Sequence, residues 1–150
     1  MIELVIPGEC VPKGRPRFTK AGHAYTPKKT RAYEAKLKLY FRRAVKEPME
    51  GPLSVTLVIG RPFLKSFTKK KTAEALNLDL WPISRPDLDN YVKAVLDAGN
   101  GILFADDSQV CRLHVVKVYS PVVGIALRLQ EIELSTQELE LINKLREVDS

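Results

Sequence analysis

The 150-residue chain is predicted to fold as a single α+β domain, with a mixed or antiparallel β-sheet packed against α-helices. Apolar residues recur at every second position in some segments, as in strands, and at every third or fourth position in others, as in helices. The predicted order is strand, helix, strand, irregular segment, helix, strand, strand, helix. The sequence has no glycine-rich dinucleotide motif and no regular strand–helix alternation, which favours an α+β domain.

The first half of the chain contains two predicted strands and one long helix. Residues 2–6 alternate between apolar and less apolar side chains and end at a proline, which predicts a short first strand. After Pro27, apolar residues follow helical spacing to about Lys46, which predicts an amphipathic helix with a basic outer face. Residues 53–59 alternate as a half-buried strand. Residues 61–84 show no clear period, and they either cover the core or form a basic flap.

The second half is predicted to contain a helix, two strands and a terminal helix. The first helix begins near Pro86, which is suited to a helix start. Residues 110–119 and 123–132 are rich in apolar side chains and are predicted to pair as a hairpin. Residues 135–148 begin with serine and threonine caps and continue with helical spacing of leucine and isoleucine, which predicts the terminal helix.

The charge of the chain is uneven. Lysine and arginine number 24 against 18 aspartate and glutamate residues, a net charge of +6. Positive charge concentrates in residues 13–43 and in residues 65–71, whereas the C-terminal segment is acidic. This polarity predicts a surface for a polyanion, most commonly nucleic acid, and an ordinary solvated basic face is the alternative.

Composition also argues against several classes of protein. No apolar run approaches the ~20 residues of a membrane span, and the N-terminus lacks a secretory signal, so we expect a soluble cytoplasmic protein. Cys10 and Cys111 match no disulfide framework or CxxC pair, which predicts reduced thiols. His23 and His114 are isolated, so a zinc site is not expected.

Two pairs of acids stand out in this basic chain. Asp87 and Asp89 are two residues apart at the start of a predicted helix, and Asp106 and Asp107 are adjacent just before a predicted strand. Lys93 lies one helical turn after Asp89 on the same face. Such an oxygen-rich pocket suits a hard divalent ion such as Mg²⁺, which can activate water, while a lysine beside it can hold a phosphate.

Each of these features also has an ordinary structural explanation. Asp87 is a plausible helix N-cap, and acids in the first helical turn interact favourably with the helix dipole. Asp106 and Asp107 fit a polar turn, the Asp89–Lys93 pair fits a surface ion pair, and Asp97 fits a surface charge. When both acid pairs are considered together with the basic segments, a catalytic interpretation is about as well supported as the structural explanation.

At these residues the chain resembles the RusA family of Holliday-junction resolvases. The resemblance rests on R-P-D-L-D-N-x-x-K at residues 85–93 and D-D-x-Q-V at residues 106–110. The stretch V-P-K-G-R-P-R-F at residues 11–18 also resembles the opening of phage and prophage members. The resemblance spans much of residues 1–130, and the terminal helix lies outside it.

The resemblance implies a homodimer that makes paired nicks across a four-way DNA junction during recombination and repair, in a bacterial or phage-infected cell. It implies dependence on Mg²⁺, with Mn²⁺ as a substitute. Residues 1–134 would form the nuclease domain, and residues 135–150 an acidic helix packed on it or extending it. The alternatives are a branched-DNA-binding protein without turnover and, with less support, a small nucleotide phosphohydrolase.

The family's functional residues transfer onto matching positions of this chain. The metal-binding acids match Asp87, Asp89 and Asp107, and the essential lysine matches Lys93. Asn90 and Asp106 are candidate supporting residues. The basic segments supply the candidate DNA contacts, which are Lys13, Arg15, Arg17, Lys69, Lys70 and Lys71.

Overall fold

The computed structural model describes residues 1–14 and 17–148. In chain order its elements are β1 (Ile2–Pro7), β2 (Arg17–Phe18), β3 (Ala24–Tyr25), α1 (Lys28–Ala44), β4 (Leu53–Arg61), α2 (Lys69–Leu76), α3 (Leu88–Gly99), a 3-10 turn (Asp107–Gln109), β5 (Val110–Tyr119), β6 (Gly124–Glu131) and α4 (Thr136–Arg146). The predicted α+β fold is confirmed.

The main sheet has four strands in the order β1-β6-β4-β5. Strand β6 runs antiparallel to both β1 and β4, whereas β5 runs parallel to β4, so the sheet is mixed. The prediction that β5 and β6 form a hairpin is wrong, because β4 lies between them. Parallel pairing of β4 with β5 requires a crossover connection, and the segment containing α2 and α3 supplies it.

The core lies between one face of this sheet and helices α1 and α3. Alternate residues of β4 and β6 face the helices, as the period of two requires. The buried apolar residues include Val55, Leu57, Ile59, Ile125, Leu127 and Leu129 from the sheet and Tyr33, Leu37, Phe41, Tyr91 and Val95 from the helices. Strand β4 is buried along most of its length, more than the half-buried strand predicted, because it has a partner on each side.

Helix α2 occupies part of the segment that showed no clear period in the sequence. Thr68 caps it, with its hydroxyl oxygen accepting a hydrogen bond of 3.2 Å from the Lys71 amide. Ala75 is the only residue of the helix that is buried, so the helix has no apolar stripe that a periodicity search could detect. Next to it, the rings of Phe67 and Tyr119 meet edge to face at 5.1 Å and cover the end of β5.

Helix α3 buries a narrow stripe of mostly small residues. Tyr91, Ala94, Val95 and Ala98 are buried, whereas Leu88 keeps 39% of its surface exposed. Small alanines allow α3 to pack closely against α1, while its first turn projects beyond the core. That exposed first turn carries the predicted site.

The terminal helix α4 begins at a capping box formed by Ser135 and Glu138. None of its residues is buried. Arg112 of β5 anchors its first turn, with Nε donating to Glu138 Oε2 at 2.7 Å. Its placement against the rest of the chain therefore depends mainly on polar contacts. In the described part of the chain, no helix is long and apolar enough to cross a membrane.

Candidate active site at the start of helix α3

The first two acids lie at the exposed start of α3. Asp87 is the N-cap residue, yet its side chain accepts no capping hydrogen bond, so helix capping does not account for this carboxylate. Asp89 lies in the first turn, where its Oδ1 accepts a hydrogen bond of 3.0 Å from the Asn90 amide. Neither carboxylate forms an ion pair with a described residue, so both are available for a ligand.

The second pair of acids divides into two different environments. Asp106 caps the 3-10 turn, and its Oδ2 accepts a hydrogen bond of 2.5 Å from the Ser108 hydroxyl. This hydrogen bond lowers the pKa of Asp106. Asp107 is half-buried, and its amide donates to Asn100 Oδ1 at 2.8 Å, which ties it to the end of α3. The carboxylate of Asp106 therefore stabilises the turn that presents Asp107.

Gln109 holds this turn in place, a function that sequence reasoning missed. Its Nε2 donates to the carbonyl oxygens of Met49 and Gly51 at 3.0 and 3.1 Å. Its Oε1 accepts from the amides of Ala105 and Asp106 at 2.9 and 3.2 Å. The glutamine of the D-D-x-Q-V pattern thus links the acidic turn to the segment before β4. Its place in that pattern was the only sequence signal for this role.

Lys93 lies beside an open groove between α3 and β5. The groove is lined by Leu88, Asp89, Val92 and Lys93 of the helix and by Leu113 and Val115 of the strand. The Lys93 side chain is 63% exposed, and its ammonium lies 3.9 Å from Asp97 Oδ2, one turn further along the helix. Asp97, which the sequence suggested was an ordinary surface charge, is thus the acid that pairs with this lysine.

The structure places Asp87 and Asp89 at the start of α3, whereas Asp107 is tied to Asn100 at the other end of this helix, so the predicted metal ligands are not assembled into one set. Within residues 1–14 and 17–148, no three histidine, cysteine, aspartate or glutamate side chains are close enough to hold one ion. The donors nevertheless fit a hard divalent ion, because Asp87, Asp89 and Asp107 are carboxylates without a cationic partner among the described residues. The metal site stays a prediction.

The candidate DNA contacts differ in exposure. Arg17 of β2 and Lys69, Lys70 and Lys71 of α2 are exposed, whereas Arg15 lies outside the described residues. Lys13 is half-buried and lies in ion pairs with two acids, so the structure places it inside a charge network rather than on an open surface.

The segment that carries both acid pairs and Lys93 matches a known protein family. Residues 7–130, from the end of β1 to the end of β6, match the endodeoxyribonuclease RusA family. The chain belongs to the RusA family. Membership in this family implies nuclease activity on Holliday junctions. The RusA segment includes all the candidate catalytic acids, and it ends before α4.

The chain is also similar to an uncharacterized protein of Bacillus subtilis (strain 168), YqaN. The two are 35% identical over 137 residues, which cover 87% of this chain and 96% of the relative. The similarity therefore covers most of this chain and nearly all of the relative.

Proposed function

We propose that this RusA-family chain is a divalent-metal-dependent endonuclease that resolves Holliday junctions by paired symmetric nicks, in DNA recombination and repair. The observation that carries the proposal is the pair Asp87 and Asp89, two carboxylates without a cationic partner among the described residues, at the start of the helix that also presents an exposed Lys93, in a family of endodeoxyribonucleases. Carboxylates next to a phosphodiester would repel it unless a cation compensates their charge.

Asp87, Asp89 and Asp107 are the proposed ligands of Mg²⁺, with Mn²⁺ as a substitute. The bound ion would supply a nucleophilic hydroxide near neutral pH and offset the negative charge of the phosphate. Asp106 supports this set indirectly, because it caps the turn that presents Asp107. Asn90 supports these ligands through its backbone. Its backbone amide donates to Asp89 Oδ1, and its backbone carbonyl accepts from the Lys13 amide.

Lys93 is the proposed phosphate-binding residue. Its exposed ammonium borders the groove that Asp89 also lines, so a phosphate in this groove would contact both groups. A fixed positive charge there would stabilise the extra negative charge that develops on the phosphate during hydrolysis.

The basic segments are the proposed DNA-binding surface. No acid occurs in residues 10–33, and Arg17 and the lysines of α2 are exposed, so these groups can contact phosphates. Arg15 belongs to the same acid-free segment of the sequence. Cleavage of two opposed strands requires two active sites, and we therefore propose a homodimer acting on DNA in the cytoplasm.

Cleavage of a synthetic four-way junction tests the proposal. We expect Mg²⁺-dependent nicking by the unaltered chain and loss of nicking in Asp89→Asn and Lys93→Ala. Asp79→Asn, after α2, and Lys144→Ala, on α4, change exposed residues and serve as matched controls that should retain activity. Absence of metal-dependent nicking would contradict the proposal, and equal junction binding in EDTA and Mg²⁺ without product would favour a non-catalytic DNA-binding protein.

A further inference from the structure

Lys117 reaches from β5 to the loop that precedes Asp87. The register pairs Lys117 with Ile59, so it projects from the helix-covered face of the sheet. Its ammonium donates to the carbonyl oxygen of Ser84 at 2.9 Å and to that of Pro86 at 3.0 Å. Both distances are normal for N–H···O hydrogen bonds.

These two hydrogen bonds are the main constraint on the loop. Among the described residues, the backbone of Ser84, Arg85 and Pro86 makes no other hydrogen bond. Pro86 cannot donate one, because proline has no amide hydrogen. Asp87 follows directly, and its own side chain makes no capping hydrogen bond that would fix it to the helix. The Asp87 carbonyl accepts a hydrogen bond of 3.2 Å from the Asn90 backbone amide, which holds Asp87 on the helix side. On the loop side, the hydrogen bonds come from Lys117.

We infer that Lys117 is a positioning residue for Asp87. It clamps the two carbonyl groups so that the Asp87 carboxylate enters the site that Asp89 borders. This role rests on the proposed metal-dependent function, because a fixed Asp87 matters most where an ion must be held by several ligands. Removing a residue that hydrogen-bonds to a metal ligand, and so orients it, typically lowers metal affinity or activity by about 10–100-fold.

A lysine suits this position for a physical reason. Lys117 is half-buried, and its ammonium has three N–H donors, two of which bind carbonyl oxygens that make no other hydrogen bond with a described residue. Methionine has a similar shape without a donor, so Lys117→Met would free both carbonyls. Arginine offers several donors in a planar fork, so Lys117→Arg can bridge both carbonyls again.

The test compares Lys117→Met, Lys117→Arg and the matched control Lys36→Met. Lys36 also donates to a proline carbonyl, that of Pro7, at the end of β1 rather than before Asp87. Amide NMR chemical shifts of residues 84, 85 and 87–90 report the position of the loop without metal. Calorimetric titration with Mn²⁺, in the absence of DNA, reports the metal site.

For Lys117→Met we expect altered amide shifts at residues 84, 85 and 87–90 and about ten-fold or greater loss of Mn²⁺ affinity. Junction affinity in EDTA should stay within about two-fold of the unaltered chain, because the phosphate-binding lysines are untouched. Lys117→Arg should regain most of the Mn²⁺ affinity, and Lys36→Met should keep it. If Lys117→Met does not fold, Lys117→Leu, which also lacks a donor, is tested with the same expected direction.

Unchanged amide shifts or unchanged Mn²⁺ affinity in a folded Lys117→Met variant would overturn the role of Lys117. Failure of Lys117→Arg to recover any affinity would do the same. If the unaltered chain binds no Mn²⁺ and makes no nicks, the proposed function itself fails. The two failures are therefore distinguished by the behaviour of the unaltered chain.

Discussion

The ammonium groups of Lys13 and Lys93 share one carboxylate oxygen, Asp97 Oδ2, at 3.4 and 3.9 Å. Lys13 also pairs with Glu34 of α1, and its amide donates to the Asn90 carbonyl at 3.0 Å. Partial burial of Lys13 opposes its charge, but the hydrogen bond to Glu34 and the charges of both acids outweigh this effect and raise its pKa. Lys13 thus joins the N-terminal segment to helix α1 and to helix α3, next to the proposed site.

Lys13→Met should therefore affect catalysis more than DNA binding. Without Lys13, Asp97 would interact mainly with Lys93 and draw its ammonium away from the phosphate. We expect the nicking rate at saturating junction to fall by about ten-fold or more, since a misplacement of ~1 Å can cost up to about 100-fold. Junction affinity and its salt dependence should change little.

A direct DNA contact by Lys13, as the sequence predicts, would give the opposite pattern. The dissociation constant would rise, and the slope of log affinity against log salt would fall by about 0.9. Lys20→Met, at an exposed position of the same basic segment, is the matched control. Gel-shift titrations at several salt concentrations and single-turnover nicking distinguish the two roles.

Gln109→Ala should destabilise the fold as well as the site. The change removes four hydrogen bonds that connect the acidic turn with the segment before β4. At about 0.5–1.5 kcal/mol each, with incomplete additivity, the free energy of unfolding should fall by about 2–3 kcal/mol. Urea unfolding measures it, with Gln137→Ala on exposed α4 as control. A decrease below about 0.5 kcal/mol would contradict this role.

The Arg112–Glu138 pair should make the stability of the chain depend on pH. Hydrogen bonds from Arg112, and then from the Ser135 backbone, lower the pKa of Glu138 from 4.5 to about 2. The folded chain therefore holds this carboxylate ionised at pH values where the unfolded chain binds a proton. The resulting stabilisation is fully present above about pH 4.5 and is lost as pH falls towards 2.

Glu138→Gln tests this linkage. The difference in melting temperature between the unaltered chain and the variant should be constant above about pH 5 and shrink between pH 4.5 and 2. Glu140→Gln, on the same helix, controls for the change in net charge. A difference that persists unchanged at pH 2 would show that the ion pair does not anchor α4.

Neutralising the lysines of α2 should weaken DNA binding without disturbing the helix. Alanine favours helices, and the Thr68 cap is retained, so a triple alanine variant at residues 69–71 should fold normally. We expect weaker junction binding and a salt slope reduced by about 0.9 for each phosphate that these lysines no longer neutralise. Nicking at saturating junction should persist. Changing Lys144 and Arg146 of α4 to alanine is the control, and an equal weakening there would contradict a specific role of α2.

Elements whose burial follows a local period could be predicted from the amino-acid sequence alone. Strand β1, helix α1 and strand β4 begin and end close to their predicted residues, and helix α3 begins close to its predicted start, because side chains two or three to four positions apart share a face. The D-L-D-N-x-x-K and D-D-x-Q-V patterns indicated the family, and residues 7–130 match it. Metal binding, dimer formation and the division at residue 134 stay predictions.

Contacts between residues that are far apart in the sequence, in contrast, depend on the tertiary structure. Strand β4 separates β5 from β6, and strand pairing of this kind depends on the packing of the whole sheet rather than on a local pattern. Helix α2 was missed because capping and a single buried alanine hold it. Lys117 reaches carbonyl groups 31 and 33 residues away, and Lys13 reaches Glu34 across 21 residues. Sequence periodicity reports which face of an element is buried, whereas the partners of a charged side chain depend on how those faces are assembled.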